Sequence, residues 1–256
     1  MSEKQLPVVA VIVPLHNHEN FIERAIRSAA EQDYPAKFIV VIDDGSTDNS
    51  YSVVYSLLEN RQEKSNEGGV IISGDVSNTR VFLLKHDLAL GPSAARNSAI
   101  EFAWKTAHLF SMMDADDYYL PTKISKSVAK FLEYPNEIGI VYTNAIIHSE
   151  ITGVDIEEFR EAYDDRRLCQ ECIISNTAMI SRLAFERCGL YDKTYRTAED
   201  WNLYLRICEK FIAVNIPECL HVYSVTGVNA SNIVNQEVWQ KNWARIGQYL
   251  QQRGRH

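Results

Sequence analysis

Short, nearly continuous apolar runs along the first half of the chain are separated by longer stretches in which apolar residues recur every three or four positions. The runs VVAVIVP (8–14), KFIVVID (37–43), TRVFLLKH (79–86) and LFSMM (109–113) are too short for helices and are bounded by turn residues. They predict strands buried on both faces. ENFIERAIRSAAEQ (19–32), DNSYSVVYSLLENR (48–61) and GPSAARNSAIEFAWKTA (91–107) carry the helical period. Strand and helix alternate, which predicts an α/β fold with a mostly parallel sheet covered on both faces. Residues 62–78 are polar and Gly-rich around a short apolar insert, and predict a surface loop or small hairpin. The stretch 149–171 is too irregular to assign.

Open parallel sheets bind ligands beyond the carboxyl ends of their strands. The segments that follow the strands here are PLHN (14–17), DDGSTD (43–48) and DADD (114–117), and all three should face one crevice. Each has an ordinary alternative. DDGSTD makes a good turn in which Thr47 or Asp48 caps the next helix. DADD places Asp114, Asp116 and Asp117 behind an apolar run, where carboxylates repel one another and lose hydration. A cation, an arginine or a substrate should therefore sit among them, although a self-hydrating loop or a simple Ca2+ or Mg2+ site has the same composition. Arg96 could pair along its helix with Glu101, but five residues is a poor spacing for that.

Composition narrows the function class. With 256 residues, 46% of them hydrophobic, the chain can bury a full core as one large domain or one domain with an appendage. No apolar run reaches the roughly 20 residues that cross a bilayer, and the first residues lead straight into a strand. A soluble, cytoplasmic protein is expected. The net charge of −8 argues against broad nucleic-acid binding. Five cysteines include a CxxC at Cys169 and Cys172 with no second ligand pair, so ordinary thiols are expected rather than zinc. In the tail, Trp239, Trp243, Ile246 and Leu250 share helical spacing, with Lys241, Arg245, Arg253 and Arg255 around them. Docking on the chain's own domain is the expectation, with an anionic membrane face or a partner subunit as alternatives.

Taken in order, VAVIVPLHNHENFIERAIRSAAEQDYP…FIVVIDDGSTDNS, LGPSAARNSAIE, FSMMDADDYYLPTKI and CGLYDKTYRTAEDWNLYLRI resemble the family 2 glycosyltransferases of the GT-A fold, over roughly residues 8–226. The resemblance implies a Rossmann-like, mostly parallel central sheet flanked by helices, with a smaller acceptor-side region. Residues 1–118 would be the donor half, 119–235 the acceptor and catalytic-base half, and 236–256 a C-terminal amphipathic helix. It also implies roles for individual residues. Pro14, His16 and Asn17 stand where the family has its P-T-Y-N, with His16 stacking on the nucleotide base. Asp44 would accept the uracil imide N–H, Asp43 would set the loop, and Arg96 would approach the diphosphate. Asp114 and Asp116 match the DxD acids: Asp116 would bind Mn2+ or Mg2+ directly, and Asp114 would touch ribose or a metal-bound water. Asp117 is either a further member of this site or a helix-start residue before Pro121.

Asp200 takes the place of the family's catalytic base, with Glu199 orienting the acceptor. Many relatives carry Y-R-x-H after the base helix, whereas this chain has Tyr223, Ser224, Val225 and Thr226. A histidine that could complete the metal shell is thus missing, His221 is left outside the site, and weaker metal affinity is expected. The implied activity is metal-dependent, inverting transfer from a nucleoside-diphosphate sugar, UDP-linked by preference, to a hydroxyl of a glycan or lipid-linked acceptor. The tail would allow peripheral contact with the inner face of the membrane. A non-catalytic nucleotide-sugar binding protein is the alternative. A phosphatase-like reading fails because Tyr118 stands where Thr or Val is required.

Overall fold

Alternate residues of the first strand feed two different cores. In the computed structural model, which describes residues 6–66, 69–227, 229 and 234–254, β1 (Val9–Leu15) sends Ala10 and Ile12 to one side and Val9, Val11 and Val13 to the other. Arg255 of the basic tail lies outside the described residues. A strand buried on both faces has no polar side to show, which is why this run is continuously apolar. On one face, α1 (Ile22–Ala30) and α4 (Lys123–Glu133) contribute Ile22, Ile26, Ile124 and Val128. On the other, α3 (Pro92–Ala103), α6 (Arg182–Cys188) and α7 (Glu199–Cys208) contribute Ala95, Ala99, Phe185 and Leu203.

The remaining strands are β2 (Lys37–Asp44), β3 (Glu59–Asn66), β4 (Gly69–Val76), β5 (Thr79–His86), β6 (Leu109–Met112), β7 (Tyr118–Tyr119), β8 (Ile138–Ser149), β9 (Asp155–Glu158), β10 (Met179–Ser181) and β11 (Ile212–Val225). One sheet joins them in the order β3-β4-β5-β2-β1-β6-β10-β8-β11-β7, with β9 added beside β8. The central β5-β2-β1-β6 run and the long β8/β11 ladder are parallel. Short β10 runs antiparallel between β6 and β8 and splices the two parallel parts together. The expected large, mostly parallel sheet flanked by helices is therefore present, and it puts the ends of β1, β2 and β6 on one edge of the molecule.

Three local expectations are corrected. Helix α2 (Ser50–Leu57) stops four residues short of the expected end, because the chain turns at Leu58 into the edge hairpin β3/β4, which opens the segment left as loop or hairpin. Gly74 in that hairpin is required by close approach, since a Cβ there would lie 2.7 Å from the Leu58 Cβ. The stretch 149–171 holds β9 and a short helix α5 (Asp165–Gln170), whose N-cap Asp164 accepts from the Arg167 N–H. Asp117 leads into strand β7 rather than a helix; α4 begins only at Lys123.

The tail forms helix α8 (Gln236–Gln252) and docks on its own domain. Ile246 and Leu250 enter the core, each worth about 1.5–3 kcal/mol of burial. Asn242 donates to Thr197 Oγ1 at 2.9 Å, and the Arg245 guanidinium lies 3.8 Å from the Tyr195 ring centroid. No helix among the described residues is long and apolar enough to cross a membrane.

Candidate active site

The strand ends open into a cavity of about 1540 Å³ that Pro14, His16, Asn17, Asp44, Arg96, Asp114, Asp116, Glu199 and Asp200 all line. These nine residues, expected at the site from the sequence, thus meet in one place, although several are wired differently from the expectation.

At the end of β1 the chain turns through Asn17, whose φ of +56° suits a short amide side chain. Asn17 Oδ1 accepts from the Thr47 N–H at 2.8 Å, and the Asn17 N–H donates to Ser46 Oγ at 3.1 Å, so the PLHN and DDGSTD loops form one unit. His16 Nδ1 is 2.8 Å from the Asp44 carbonyl oxygen. A carbonyl can only accept, so the imidazole carries a proton on Nδ1 and is held by its edge.

Asp44 is engaged on both oxygens. Oδ2 accepts from the Gly91 N–H at 2.7 Å, Oδ1 accepts from the Leu90 N–H at 2.9 Å, and His86 Nδ1 sits 2.7 Å from Oδ1. The carboxylate thereby fixes the turn into α3, where Gly91 takes a φ of +95° and Pro92 starts the helix. Asp43 is fully buried and does not reach the cavity lining.

Arg96 is the positive charge among the acids. It is 4% exposed, donates through Nη2 to Asp114 Oδ1 at 2.7 Å and through Nη1 to Glu199 Oε1 at 2.8 Å, and lies 3.8 Å from Asp200 Oδ1. Burial alone would pull the guanidinium pKa down, but Asp200, Asp114 and Glu199 outweigh it and hold it well above its ordinary value. Rather than reaching free into the crevice, the guanidinium clamps the end of β6 to the start of α7.

The other strand-end acids are tied by amides. Asp114 Oδ2 accepts from Asn176 Nδ2 at 2.7 Å, and Asp116 Oδ2 from Asn229 Nδ2 at 3.0 Å. Burial, then the neighbouring Asp114, pushes the Asp116 pKa up. Asp117 is fully buried and accepts from the Ser224 N–H at 2.9 Å, so it fastens this loop to β11.

Asp200 stands apart. Its Oδ1 is shielded from solvent yet accepts no hydrogen bond among the described residues. Burial pushes its pKa up to about 7, with Arg96 opposing and Glu199 and Asp114 adding to the rise. The residue two before it, Ala198, sits in the left-handed region at φ +57°, a strain of about 1–2 kcal/mol for a non-glycine residue at the helix start.

The donor set for a metal is small. Among the described residues no group of three or more His, Cys, Asp or Glu side chains is placed to hold one. His221, expected outside the site, is buried in the cavity lining with its Nδ1 3.1 Å from Thr143 Oγ1, and burial followed by Lys123 holds its pKa well below the usual range. Ser224 Oγ is taken by Arg24 Nη2 at 3.0 Å. What remains, the two hard carboxylates Asp114 and Asp116 side by side on the cavity wall, fits an oxygen-preferring divalent cation that completes its shell with ligand oxygens.

The model of glycosyl transferase family 2 matches residues 10–186, more than half of the chain. The chain belongs to that family. It is 24% identical over 222 residues to the Escherichia coli UDP-Glc:alpha-D-GlcNAc-diphosphoundecaprenol beta-1,3-glucosyltransferase WfaP, covering 85% of this chain and 77% of that one. It is 26% identical over 247 residues to the Bacillus subtilis putative teichuronic acid biosynthesis glycosyltransferase TuaG, covering 93% and 86%. Among solved structures, S. aureus TarS in complex with UDP aligns with a TM-score of 0.65 at 18% identity, over 85% of this chain and 60% of that one. The mannosyltransferase PcManGT from Pyrobaculum calidifontis, in complex with GDP-Man and Mn2+, aligns with a TM-score of 0.63 at 21% identity, over 89% and 59%. The chain thus spans about 60% of the length of these solved structures. The fold is GT-A and the protein is a glycosyltransferase.

Reading the sequence alone missed Asn176, Asn229 and His86 in this glycosyltransferase. Each satisfies an acid that the motifs exposed, and each lies in a segment whose only signal is a lone polar residue near a strand end.

Proposed function

We propose that this glycosyltransferase moves a sugar, with inversion, from a nucleoside-diphosphate sugar, UDP-linked, to a hydroxyl of a glycan or lipid-linked acceptor, using Mn2+ or Mg2+. One observation carries the reading: a single buried arginine joins the DxD strand end to the helix that bears Asp200. Residues up to 118 form the donor side and 119–235 the acceptor side, and the base faces the donor across Arg96.

Each chemical task has a residue. His16 and Asn17 flank the nucleotide base, and Asp44 shapes the pocket beside it by holding the Leu90 and Gly91 amides. Uracil would reach a remaining lone pair of Asp44. Asp116, with Asp114, would hold a divalent cation, which when bound stabilises the charge gathering on the departing diphosphate. Asp200 takes the proton of the acceptor hydroxyl, a task suited to a carboxylate whose burial raises its proton affinity toward neutral pH. Arg96 keeps that carboxylate ionised and Glu199 in line. With one base and a direct displacement there is no need of a covalent intermediate, so the anomeric centre inverts. The E. coli relative is named for a UDP-Glc donor, TarS holds UDP, and PcManGT holds GDP-Man with Mn2+, which supports both donor class and metal.

A thermal-shift screen of UDP- and GDP-sugars with and without Mn2+ tests this. A true donor at a hundredfold excess over its Kd should stabilise the fold by about 2.7 kcal/mol. UDP-sugars with Mn2+ should give the largest shift, chelation should remove it and abolish transfer, and an equal or greater shift with GDP-sugars would overturn the UDP assignment.

A further inference from the structure

Helix α8 does more than close the core. Its buried edge, Ile246 and Leu250, belongs to the same cavity lining as Asp200, and so do Trp239 and Trp243, two turns and one turn before Ile246. The two indoles pack edge to face, with centroids 6.1 Å apart and planes at 62°. Trp243 nevertheless remains 56% exposed. Two large aromatic rings packed on one another at the rim of the cavity, with Trp243 left partly open to water, form a platform for a ligand with one apolar face. The helix is also tied to the catalytic loop. Asn242, beside Trp243, is buried and donates to Thr197, two residues before Glu199. Arg245 donates to the Thr194 carbonyl at 3.0 Å and fixes the same loop from below.

The rest of the rim decides what that ligand is. Gln170, Glu171, Glu158 and Arg160 line the cavity on the acceptor side. An alkyl chain would leave these groups facing hydrocarbon at a desolvation cost. A pyranose has a C–H face for the indoles and hydroxyls for the amide and carboxylates around them. Resting on the proposed transferase reading, we infer that Trp239 and Trp243 form the acceptor subsite, and that the acceptor group seated beside Asp200 is a saccharide ring stacked on α8 rather than a bare lipid chain. Asn242 is then a positioning residue that sets the distance between stacked ring and base.

The test uses the full chain saturated with UDP and Mn2+. Tryptophan emission is followed while methyl glycosides of glucose, galactose, mannose, glucuronic acid and the two common N-acetylhexosamines are added, with farnesyl diphosphate as a sugar-free lipid probe. At least one glycoside should produce a saturable change. Trp243→Ala and Trp239→Ala should weaken that glycoside tenfold or more, and Trp243→Phe, which keeps a ring, should stay within about threefold of the parent. UDP affinity should be the same in all four proteins, which also shows that the variants are folded. Failure of every glycoside to bind, unchanged glycoside affinity in both alanine variants, or saturable binding of farnesyl diphosphate alone would overturn the inference. Failure of the parent protein to bind UDP would instead count against the proposed function itself.

Discussion

Asp44 and Asp200 are carboxylates on the same cavity, and they are wired in opposite ways. Asp44, at the end of β2, has both oxygens filled by backbone amides and by His86. Asp200, in the first turn of α7, keeps one oxygen shielded from solvent and outside hydrogen-bond distance of any donor among the described residues, beside the Tyr191 hydroxyl and an arginine 3.8 Å away. The first arrangement stabilises backbone; the second withholds a lone pair from the protein so that a ligand can use it. Asp44 commits most of its bonding to the backbone and serves the ligand second, whereas Asp200 lines the cavity wall with one oxygen outside hydrogen-bond reach of the described donors.

The sharpest way to break this comparison is Asp200→Asn. Turnover should fall by about 10²–10⁴-fold, the range for loss of a general base, while UDP affinity is unchanged. The sign of its pH dependence follows from the raised pKa. The ionised base is lost as pH falls through about 7, so parent kcat/KM should drop about tenfold per unit below that, and the limb should vanish in Asp200→Asn. A carboxyl with a folded pKa near 7 and an ordinary value of 3.8 binds more protons folded than unfolded across that window. Stability due to this group therefore declines as pH rises from about 4 to 7, and Asp200→Asn should melt no lower than the parent above pH 7.

Arg96→Met comes next. It leaves Asp114, Glu199 and Asp200 without their shared cation, which should cost about 3–5 kcal/mol in denaturant unfolding. Because Arg96 opposes the rise in the Asp200 pKa, the residual activity should have its acid limb displaced to higher pH. Asp44→Ala strips the partner from two backbone amides. A loss of about 1–3 kcal/mol and a several-fold rise in donor KM with little change in kcat are expected. Equal loss of kcat in Asp44→Ala and Asp200→Asn would erase the distinction between the two acids. The smallest effect belongs to Ala198→Gly, which relieves the left-handed strain worth about 1 kcal/mol. Its melting temperature should rise slightly while kcat shifts less than threefold.

How much of this was legible from residues alone differs between the halves. In the donor half, the polar edge hairpin β3/β4 apart, the elements are single apolar periods bounded by turn residues, so β1, β2, β5, β6 and the helices between them appear in the pattern itself. The acceptor half is built from non-local pairings. β10 is three residues long and has meaning only because β6 and β8 lie on either side of it. β9 carries charged residues on an edge, where no periodicity is imposed. The site shows the same limit. Acids announce themselves by clustering, and DADD correctly demanded a positive partner, but its identity as Arg96 depends on a contact across 18 residues of sequence on one side and 103 on the other. Asn176 and Asn229 are invisible for the same reason, since a lone amide has no signal until the carboxylate it satisfies is in place.

The central claim is that the diphosphate of the donor and the proton acceptor at position 200 face one another across Arg96. A crystal structure of Asp200→Asn with Mn2+ and the UDP-sugar that stabilises it most would test this directly. The account predicts the diphosphate against Asp114 and Asp116, with the anomeric carbon turned toward residue 200 and its open face reachable from α8. A diphosphate bound elsewhere in the cavity, or a sugar whose anomeric carbon points away from residue 200, would contradict it.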